Sequence, residues 1–309
     1  MLRDADRQGR RAAYLCFNRA LADHMGRIVP PRVPAETFHE YAVQVARGHG
    51  VPVDFASSGV FDTVASACIA ALEGREADLD LIVLDEMQDL QPEWVEALLS
   101  RLRPNGRALL LEDPSQQLYA DRDAFDLAGA ATVTSNENFR TPRALVRLID
   151  ALGLVDAPIE PRSPWDGVEP ERITYADERG CLRATEQAVR RYLQRGFALH
   201  DIAVISMRGR ERSAIRKLDR LGPWSTRRFT GRYDEGGAPL WTEGELLVES
   251  VRRFKGQAAL AVVFTECDFE ALDEMTRRLL FVGLTRARMH LEWVVSERAA
   301  DAVTRRLGA

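Results

Sequence analysis

The stretch "LIVLDEMQDL" at residues 81–90 decides the fold, because four apolar residues run directly into two adjacent acids. Such an apolar run is typical of a buried strand in a parallel sheet, and open α/β sheets place their ligand sites where the strands end. Asp85 and Glu86 stand at that position. Adjacent carboxylates can hold hydrated Mg²⁺ and orient an attacking water, and two acids after a strand can also cap the next helix. The stretch therefore predicts a strand end that carries either a magnesium site or a solvated cap.

Short apolar runs alternate with longer amphipathic stretches along the chain. The runs have the length of strands, and the stretches place apolar residues at helical spacing. The predicted strands are 12–17, 81–84, 107–112, 131–134, 172–176, 201–206, 259–264 and 290–296. The predicted helices are 36–48, 59–74, 92–103, 141–152, 184–196, 210–222, 272–288 and 297–308. Strands that alternate with helices predict parallel sheets with helices on both faces.

The same alternation repeats after a break, which predicts two α/β domains. The first covers residues 1–135 and the second covers residues 136–309, and a proline-rich linker at 157–170 lies within the second. A chain of 309 residues is long enough for each domain to have its own core.

The composition is that of an ordinary globular protein, with 46% hydrophobic and 29% charged residues. No apolar run reaches the roughly 18 residues of a membrane helix, and the N-terminus lacks the apolar region of a signal peptide. The four cysteines are scattered without a C-x-x-C pair, which argues against zinc and disulfides and favours the cytoplasm. The net charge of −5 means that nucleic acid could bind only through a local basic face.

Several segments together resemble one known family. The stretch at 81–90 resembles the second helicase motif of superfamily 1 DNA helicases of the UvrD/Rep type. Further segments resemble other motifs of this family and follow one another in the family's order. They are "YLCFNRALADHM" (14–25), "ETFHEYA" (36–42), "LLLEDPSQQLY" (109–119), "NENFRTPRALVRLI" (136–149), "VESVRRFKGQ" (248–257) and "RRLLFVGLTRARMHL" (277–291).

The resemblance implies two RecA-like domains of the P-loop-NTPase type, with ATP and Mg²⁺ between them and single-stranded or duplex DNA as the partner. It implies that Asp85 holds Mg²⁺, Glu86 is the general base and Gln116 senses the γ-phosphate. Arg140 and Arg286 would contact the transition-state charge, because the arginine fork pairs with phosphate oxygens. The remaining family positions are Asp113, Gly256 and Arg288 for the nucleotide, and Asn18, Phe38, His39 and Tyr119 for the nucleic acid. Core packing is an equally good interpretation of Tyr119.

The phosphate-binding loop of this family, G-x-x-x-x-G-K-[ST], has no match in these 309 residues. The only lysines are Lys217, in the predicted helix 210–222, and Lys255, in "RFKGQ". The opening "LRDADRQGRRAAYLCFN" resembles the end of the helix that follows this loop, a glycine turn and the next strand. Met1 would then fall inside that helix, and the first domain would be N-terminally incomplete. We therefore expect a gap or unpaired backbone in its sheet.

Other positions depart from the family pattern. Glu112 replaces a glycine, Ala258 replaces a ribose-contacting glutamate and Arg252 replaces a histidine. An additional carboxylate beside a triphosphate is unfavourable unless a cation offsets it. Between the Asn-Phe-Arg and Lys-Gly motifs we expect only strand–helix pairs.

Three hypotheses remain open. The first is most of a superfamily 1 helicase or translocase motor whose N-terminal phosphate-loop piece lies outside this sequence, so that these residues are inactive by themselves. A chain or domain that supplies the loop is then a candidate partner, with no membrane association and a role in DNA repair. The second is a pseudo-helicase that binds nucleic acid or regulates a partner without hydrolysing ATP. The third is a metal-dependent hydrolase that uses Asp85, Glu86 and Asp89, and it leaves "NFRTP", "RRFKG" and "LTRAR" unexplained.

Overall fold

A computed structural model describes residues 1–118 and 129–308 of the chain. By their contacts, residues 1–130 and 231–240 form one compact unit, and residues 131–230 and 241–309 form a second. The predicted domain boundary between 135 and 136 stays a prediction. Within the described part of the chain, no helix is both long and apolar enough to cross a membrane.

The first unit contains a parallel sheet of four strands in the order β2-β1-β3-β4. Its strands are β1 (Ala12–Cys16), β2 (Ala35–Thr37), β3 (Leu79–Asp85) and β4 (Leu102–Leu110). Its helices are α1 (Leu2–Arg7), α2 (Arg19–Gly26), α3 (Phe38–Gly48), α4 (Val60–Leu72) and α5 (Pro92–Leu99). The larger core packs α3, α4 and α5 against one face of β1 and β3, which positions the end of β3.

Local chemistry fixes where the helices of the first unit begin. Thr37 and Glu40 form a capping box, in which the Thr37 hydroxyl accepts from Glu40 N and the Glu40 carboxylate accepts from Thr37 N. Asn18 caps α2 by accepting from Ala20 N and Leu21 N. The helix–turn–strand order predicted for the chain start is confirmed, with α1 followed by Gly9 at φ +66° and then β1.

The second unit contains a seven-stranded sheet in the order β7-β15-β14-β8-β13-β10-β9. All neighbouring pairs are parallel except β9 with β10. Its strands are β7 (Glu171–Tyr175), β8 (Ile202–Ser206), β9 (Arg220–Leu221), β10 (Trp224–Arg227), β13 (Leu246–Ser250), β14 (Ala259–Cys267) and β15 (Ala287–Ser296). Its helices are α6 (Arg143–Leu152), α7 (Glu178–Gln194), α8 (Val251–Phe254), α9 (Glu274–Leu284) and α10 (Glu297–Leu307).

Two small sheets complete the described elements. They consist of β5 (Glu137–Asn138) with β6 (Glu160–Pro161), and β11 (Phe229–Tyr233) with β12 (Pro239–Trp241). The predicted fold class, α/β with mainly parallel sheets, is confirmed, and the architecture is consistent with RecA-like helicase domains.

Several local predictions were wrong. Residues 131–134 form no strand, and Val133 is 92% exposed. The helix predicted at 210–222 is a short 3₁₀ turn at Ile215–Lys217 followed by β9, because Arg216 turns inward to pair with Glu249. The expectation of only strand–helix pairs in this region also fails, since β9 to β12 follow one another without an intervening α-helix.

The expected gap in the first sheet is not found between the described strands, because β2, β1, β3 and β4 are direct neighbours. The placement of Met1 inside a phosphate-loop helix therefore gains no support from the sheet and stays a prediction.

Candidate functional site

The acidic pair lies at the carboxyl end of β3, as predicted. Asp85 is the last residue of the strand, and Glu86 adopts a left-handed conformation with φ +54°. This conformation costs a non-glycine residue about 1–3 kcal/mol, and such strain is concentrated at functional sites. The turn is held by a hydrogen bond from Met87 N to Leu111 O of 2.9 Å. The backbone thus fixes Glu86 beside Asp85 at the carboxyl end of an interior strand.

The Asp85 carboxylate is oriented by two donors. The Tyr14 hydroxyl donates to Oδ2 at 2.6 Å, and Glu86 N donates to Oδ1 at 2.9 Å. Burial raises the pKa of Tyr14, and the hydrogen bond to Asp85 raises it further. Burial and the charge of Asp85 also raise the pKa of the Cys16 thiol. Tyr14 therefore remains a donor at neutral pH, and neither residue is suited to act as a base or nucleophile.

Gln88 connects the acidic pair to the segment after β4. Its Nε2 donates to Glu86 Oε2 at 2.6 Å, and its Oε1 accepts from Asp113 N at 3.1 Å. The Asp113 carboxylate in turn accepts from Gln116 Nε2 at 2.7 Å and from Ser115 N at 3.0 Å. We call Asp85, Glu86, Gln88, Asp113 and Gln116 the acidic array.

The acidic array unites four of the predicted site residues, and it includes one that sequence reasoning missed. Gln88 lies inside the quoted stretch, but its amide bridges two segments that are 25 residues apart, and no local pattern encodes such a bridge. Tyr14 was missed for the same reason, because its partner Asp85 lies 71 residues away.

The described residues around the acidic array include no preformed cluster of metal ligands. Among residues 1–118 and 129–308, no group of three or more His, Cys, Asp and Glu side chains could hold a metal ion. Mg²⁺ is usually bound by one or two carboxylates together with substrate phosphates, and both Asp85 oxygens already accept hydrogen bonds. Asp89, the third acid of the hydrolase hypothesis, is only 1% exposed. The described residues therefore give no support to a metal-dependent hydrolase.

The nucleic-acid candidates of the first unit lie in different environments. The Phe38 ring is fully buried and stacks on Trp94 with centroids 4.4 Å apart, so it has no face open to a base. His39 is half-buried, and its ring meets Phe61 and Trp94 edge-on at 5.1 Å. The side-chain oxygen of Asn18 is used by the start of α2. Tyr119 lies outside the described residues.

The arginine candidates of the second unit differ in burial. Arg286 is 1% exposed, and its guanidinium donates to Val282 O at 2.8 Å, Gln257 O at 3.3 Å and Thr285 Oγ1 at 2.8 Å. Arg140 and Arg288 are exposed. Gly256 follows α8 with φ +77°, a conformation that favours glycine. The nucleotide roles of these four residues stay predictions.

Comparison with known proteins agrees with the last two segments of the motif series, 248–257 and 277–291. Residues 245–294 match the family model of the UvrD-like helicase C-terminal domain, and they contain β13, α8, β14 and α9 and most of β15. A solved structure of the C-terminal domain of a possible DNA helicase from Lactobacillus plantarum WCFS1 is 17% identical, with a TM-score of 0.38. That alignment covers 53% of this chain and 94% of the other. A search of curated proteins gave no match. Residues 245–294 are thus similar to a UvrD-like helicase C-terminal domain.

Proposed function

We propose that this chain is a helicase-type motor of the UvrD-like class that binds DNA and does not hydrolyse ATP by itself. The observation that carries the proposal is the acidic array at the carboxyl ends of two parallel strands, in a chain whose residues 245–294 match the UvrD-like model. A cytoplasmic location and a role in DNA repair belong to the same proposal.

We expect no ATP hydrolysis because nothing in these residues is suited to bind the phosphates of ATP. ATP-dependent motors cradle the β- and γ-phosphates with a glycine-rich loop and a lysine, and these 309 residues contain no such loop. The acids Asp85, Glu86, Glu112 and Asp113 would repel a triphosphate unless a cation offset them. ATP should therefore bind weakly or not at all, unless another segment or chain supplies the loop.

One observation favours the pseudo-helicase as a second candidate. The guanidinium of Arg286 donates to two carbonyl oxygens and a hydroxyl of its own unit. These bonds and the burial of the side chain hold the guanidinium within its own unit. In a pseudo-helicase, Arg286 would instead stabilise the turn between α9 and β15.

DNA binding is tested by fluorescence anisotropy with a labelled 20-nucleotide oligo(dT) at increasing salt. We expect binding that weakens with salt, because phosphate contacts release counterions. His39→Ala should weaken it by roughly fivefold or more, as for the loss of one base–aromatic contact. His200→Ala is the matched control, since the His200 side chain is 85% exposed in the second unit. The proposal is wrong if the wild type does not bind at low salt.

ATP hydrolysis is measured with the same oligonucleotide and Mg²⁺. We expect phosphate release at the level of buffer, and no change in Glu86→Gln. Turnover that Glu86→Gln abolishes and Glu270→Gln leaves intact would instead show a complete motor, because Glu270 is an exposed acid of the second unit. Turnover unaffected by either substitution would indicate a contaminating enzyme.

A further inference from the structure

Half-buried aromatic rings of the first unit form a continuous series. His39 lies 5.7 Å from Phe17 and 5.1 Å from Phe61, and Phe61 lies 6.1 Å from Phe55 and 5.2 Å from Tyr233. We call Phe17, His39, Phe61 and Phe55 the aromatic row, and Tyr233 packs on it. Sequence reasoning assigned a role only to His39. Phe55 and Phe61 lie before and within α4 and carry no family motif.

Tyr233 is the last residue of β11 and belongs to the hairpin tip, residues 231–240, which runs from the end of β11 through the turn into β12. Two further contacts fix this tip on the rest of the first unit. Arg47 Nη2 donates to Glu235 O at 2.7 Å. Gly237 has φ +87°, and a β-carbon at this position would lie 2.6 Å from the Phe55 ring. The hairpin tip therefore rests directly on the aromatic row.

The hairpin tip maintains its own shape. The Asp234 carboxylate accepts from Gly236 N at 2.9 Å and from Ala238 N at 2.8 Å, and Asp234 N donates to Ala238 O at 2.9 Å. These bonds lie within the turn and do not involve the aromatic row. The tip can therefore leave the row as an intact turn, and the contacts that it loses include the Arg47 hydrogen bond and the ring contacts of Tyr233.

Charge and ring geometry indicate that the tip covers a binding surface. Asp234 and Glu235 are exposed at the turn, and they would repel the phosphates of a nucleic acid. The rings of His39, Phe61 and Tyr233 meet at interplanar angles of 73–77°, so each ring edge occupies a neighbouring face. Bases stack on open faces, and release of the tip would uncover the parts of Phe55 and Phe61 that now contact Tyr233 and Gly237.

We propose that Phe55 and Phe61 form a single-strand binding surface with His39, and that the hairpin tip is a built-in cover which nucleic acid must displace. This proposal rests on the proposed DNA binding of the chain. It adds two contact residues and a competitor that is part of the same polypeptide.

The test compares Gly237→Val with Gly236→Ala. The valine side chain would collide with Phe55 and disfavour the positive φ. At Gly236, which does not have a positive φ, the atoms nearest to a β-carbon belong to Asp234 of the same turn. Both variants keep every charge of the tip. Tyr233→Ala, which removes the ring that contacts Phe61, is a second way to release the tip. Hydrogen exchange of the amides at 234–238 reports the release.

We expect Gly237→Val and Tyr233→Ala to speed exchange at 234–238 and to tighten oligo(dT) binding by roughly fivefold or more, as for one additional stacked base. Gly236→Ala should match the wild type. Adding Phe61→Ala to Gly237→Val should abolish the gain, and saturating oligo(dT) should speed exchange at 234–238 in the wild type.

Three results would contradict the proposal that the hairpin tip covers a binding surface. They are unchanged exchange in both release variants, unchanged or weaker binding once the tip is released, and a gain that persists without Phe61. If the wild type binds and these results appear, only the cover is wrong. If neither the wild type nor a released variant binds at low salt, the proposed DNA binding fails as well.

Discussion

The hydroxyl of Tyr14 in β1 donates a 2.6 Å hydrogen bond to Oδ2 of Asp85 in the neighbouring strand β3. Tyr14 is 1% exposed, so the donor is held in place by packing. The side chain that orients the predicted magnesium ligand is therefore a buried tyrosine of a neighbouring strand.

Tyr14→Phe should destabilise the first unit by about 1.5–3 kcal/mol, because a hydrogen bond to a charged group is lost. Tyr192→Phe is the matched control, since its equally buried hydroxyl donates to a neutral carbonyl, Val262 O, at 3.1 Å. That variant should lose about 0.5–1.5 kcal/mol. Urea unfolding at pH 7 measures both free energies. If Tyr14→Phe lowers the free energy of unfolding less than Tyr192→Phe does, the hydrogen bond from Tyr14 to the charged Asp85 is not the stronger of the two.

Glu249→Gln should destabilise the second unit by about 3–5 kcal/mol, since it leaves a buried guanidinium without its counter-charge. The side chains of Glu249 and Arg216 are 1% and 2% exposed, with Oε1 and Nε 3.0 Å apart. Burial raises the pKa of Glu249 and lowers the pKa of Arg216. The double variant Arg216→Met/Glu249→Leu should unfold at a higher urea concentration than Glu249→Gln, because it removes both charges together. Equal midpoints for the two proteins would argue against this explanation.

The second unit should lose stability as the pH falls from about 5, through the carboxylate of Asp268. Hydrogen bonds from Arg298 lower the pKa of Asp268 in the folded state. A depressed folded pKa stabilises the protein above the unfolded pKa, and this contribution disappears as the pH falls toward the folded pKa. Thermal unfolding between pH 3 and 7 should therefore show a shallower acid slope for Asp268→Asn. Asp156→Asn, at a fully exposed acid, should keep the wild-type slope.

Gly283→Ala should destabilise the protein although alanine favours helices. A β-carbon at Gly283 would lie 2.3 Å from the Phe264 ring, which is fully buried. Overpacking costs about 1–3 kcal/mol, which outweighs a helix-propensity gain of at most about 1 kcal/mol. Gly48, at the end of α3, has open space around it, so Gly48→Ala should leave stability unchanged or raise it slightly. Thermal unfolding compares the two variants, and a stabilised Gly283→Ala would show that α9 can shift away from β14.

Most of the elements that local patterns predicted are present in the structure. The strands β1, β3, β7, β8, β14 and β15 and the helices α3 to α7, α9 and α10 lie where the apolar periodicity indicates. These elements bury continuous apolar runs or one apolar helix face, and both features are written in adjacent residues. The strand predicted at 131–134 is not formed, because β-branched residues favour a strand only where they can pack within a sheet.

The predictions for residues 210–250 were wrong because contacts between distant residues decide the structure there. The pattern of 210–222 has helical spacing, but Arg216 is drawn to Glu249 and its Nη2 to Phe229 O. No residue near Arg216 in the sequence indicates that this side chain will pair with a buried acid, Glu249, 33 positions later. The hairpin tip is a stronger case, because Arg47 and Glu235 are 188 residues apart.

The sequence by itself determined the alternation of strands and helices and the place of Asp85 and Glu86 at a strand end, because both depend on neighbouring residues. It also determined the absence of a G-x-x-x-x-G-K-[ST] loop within these 309 residues. Only the tertiary structure decided that Gln88 and Tyr14 hold the acidic array, that Phe38 and Arg286 are buried, and that a distant hairpin rests on the aromatic row. These outcomes depend on contacts between segments far apart in the chain, and burial and hydrogen bonding in the folded state select those contacts.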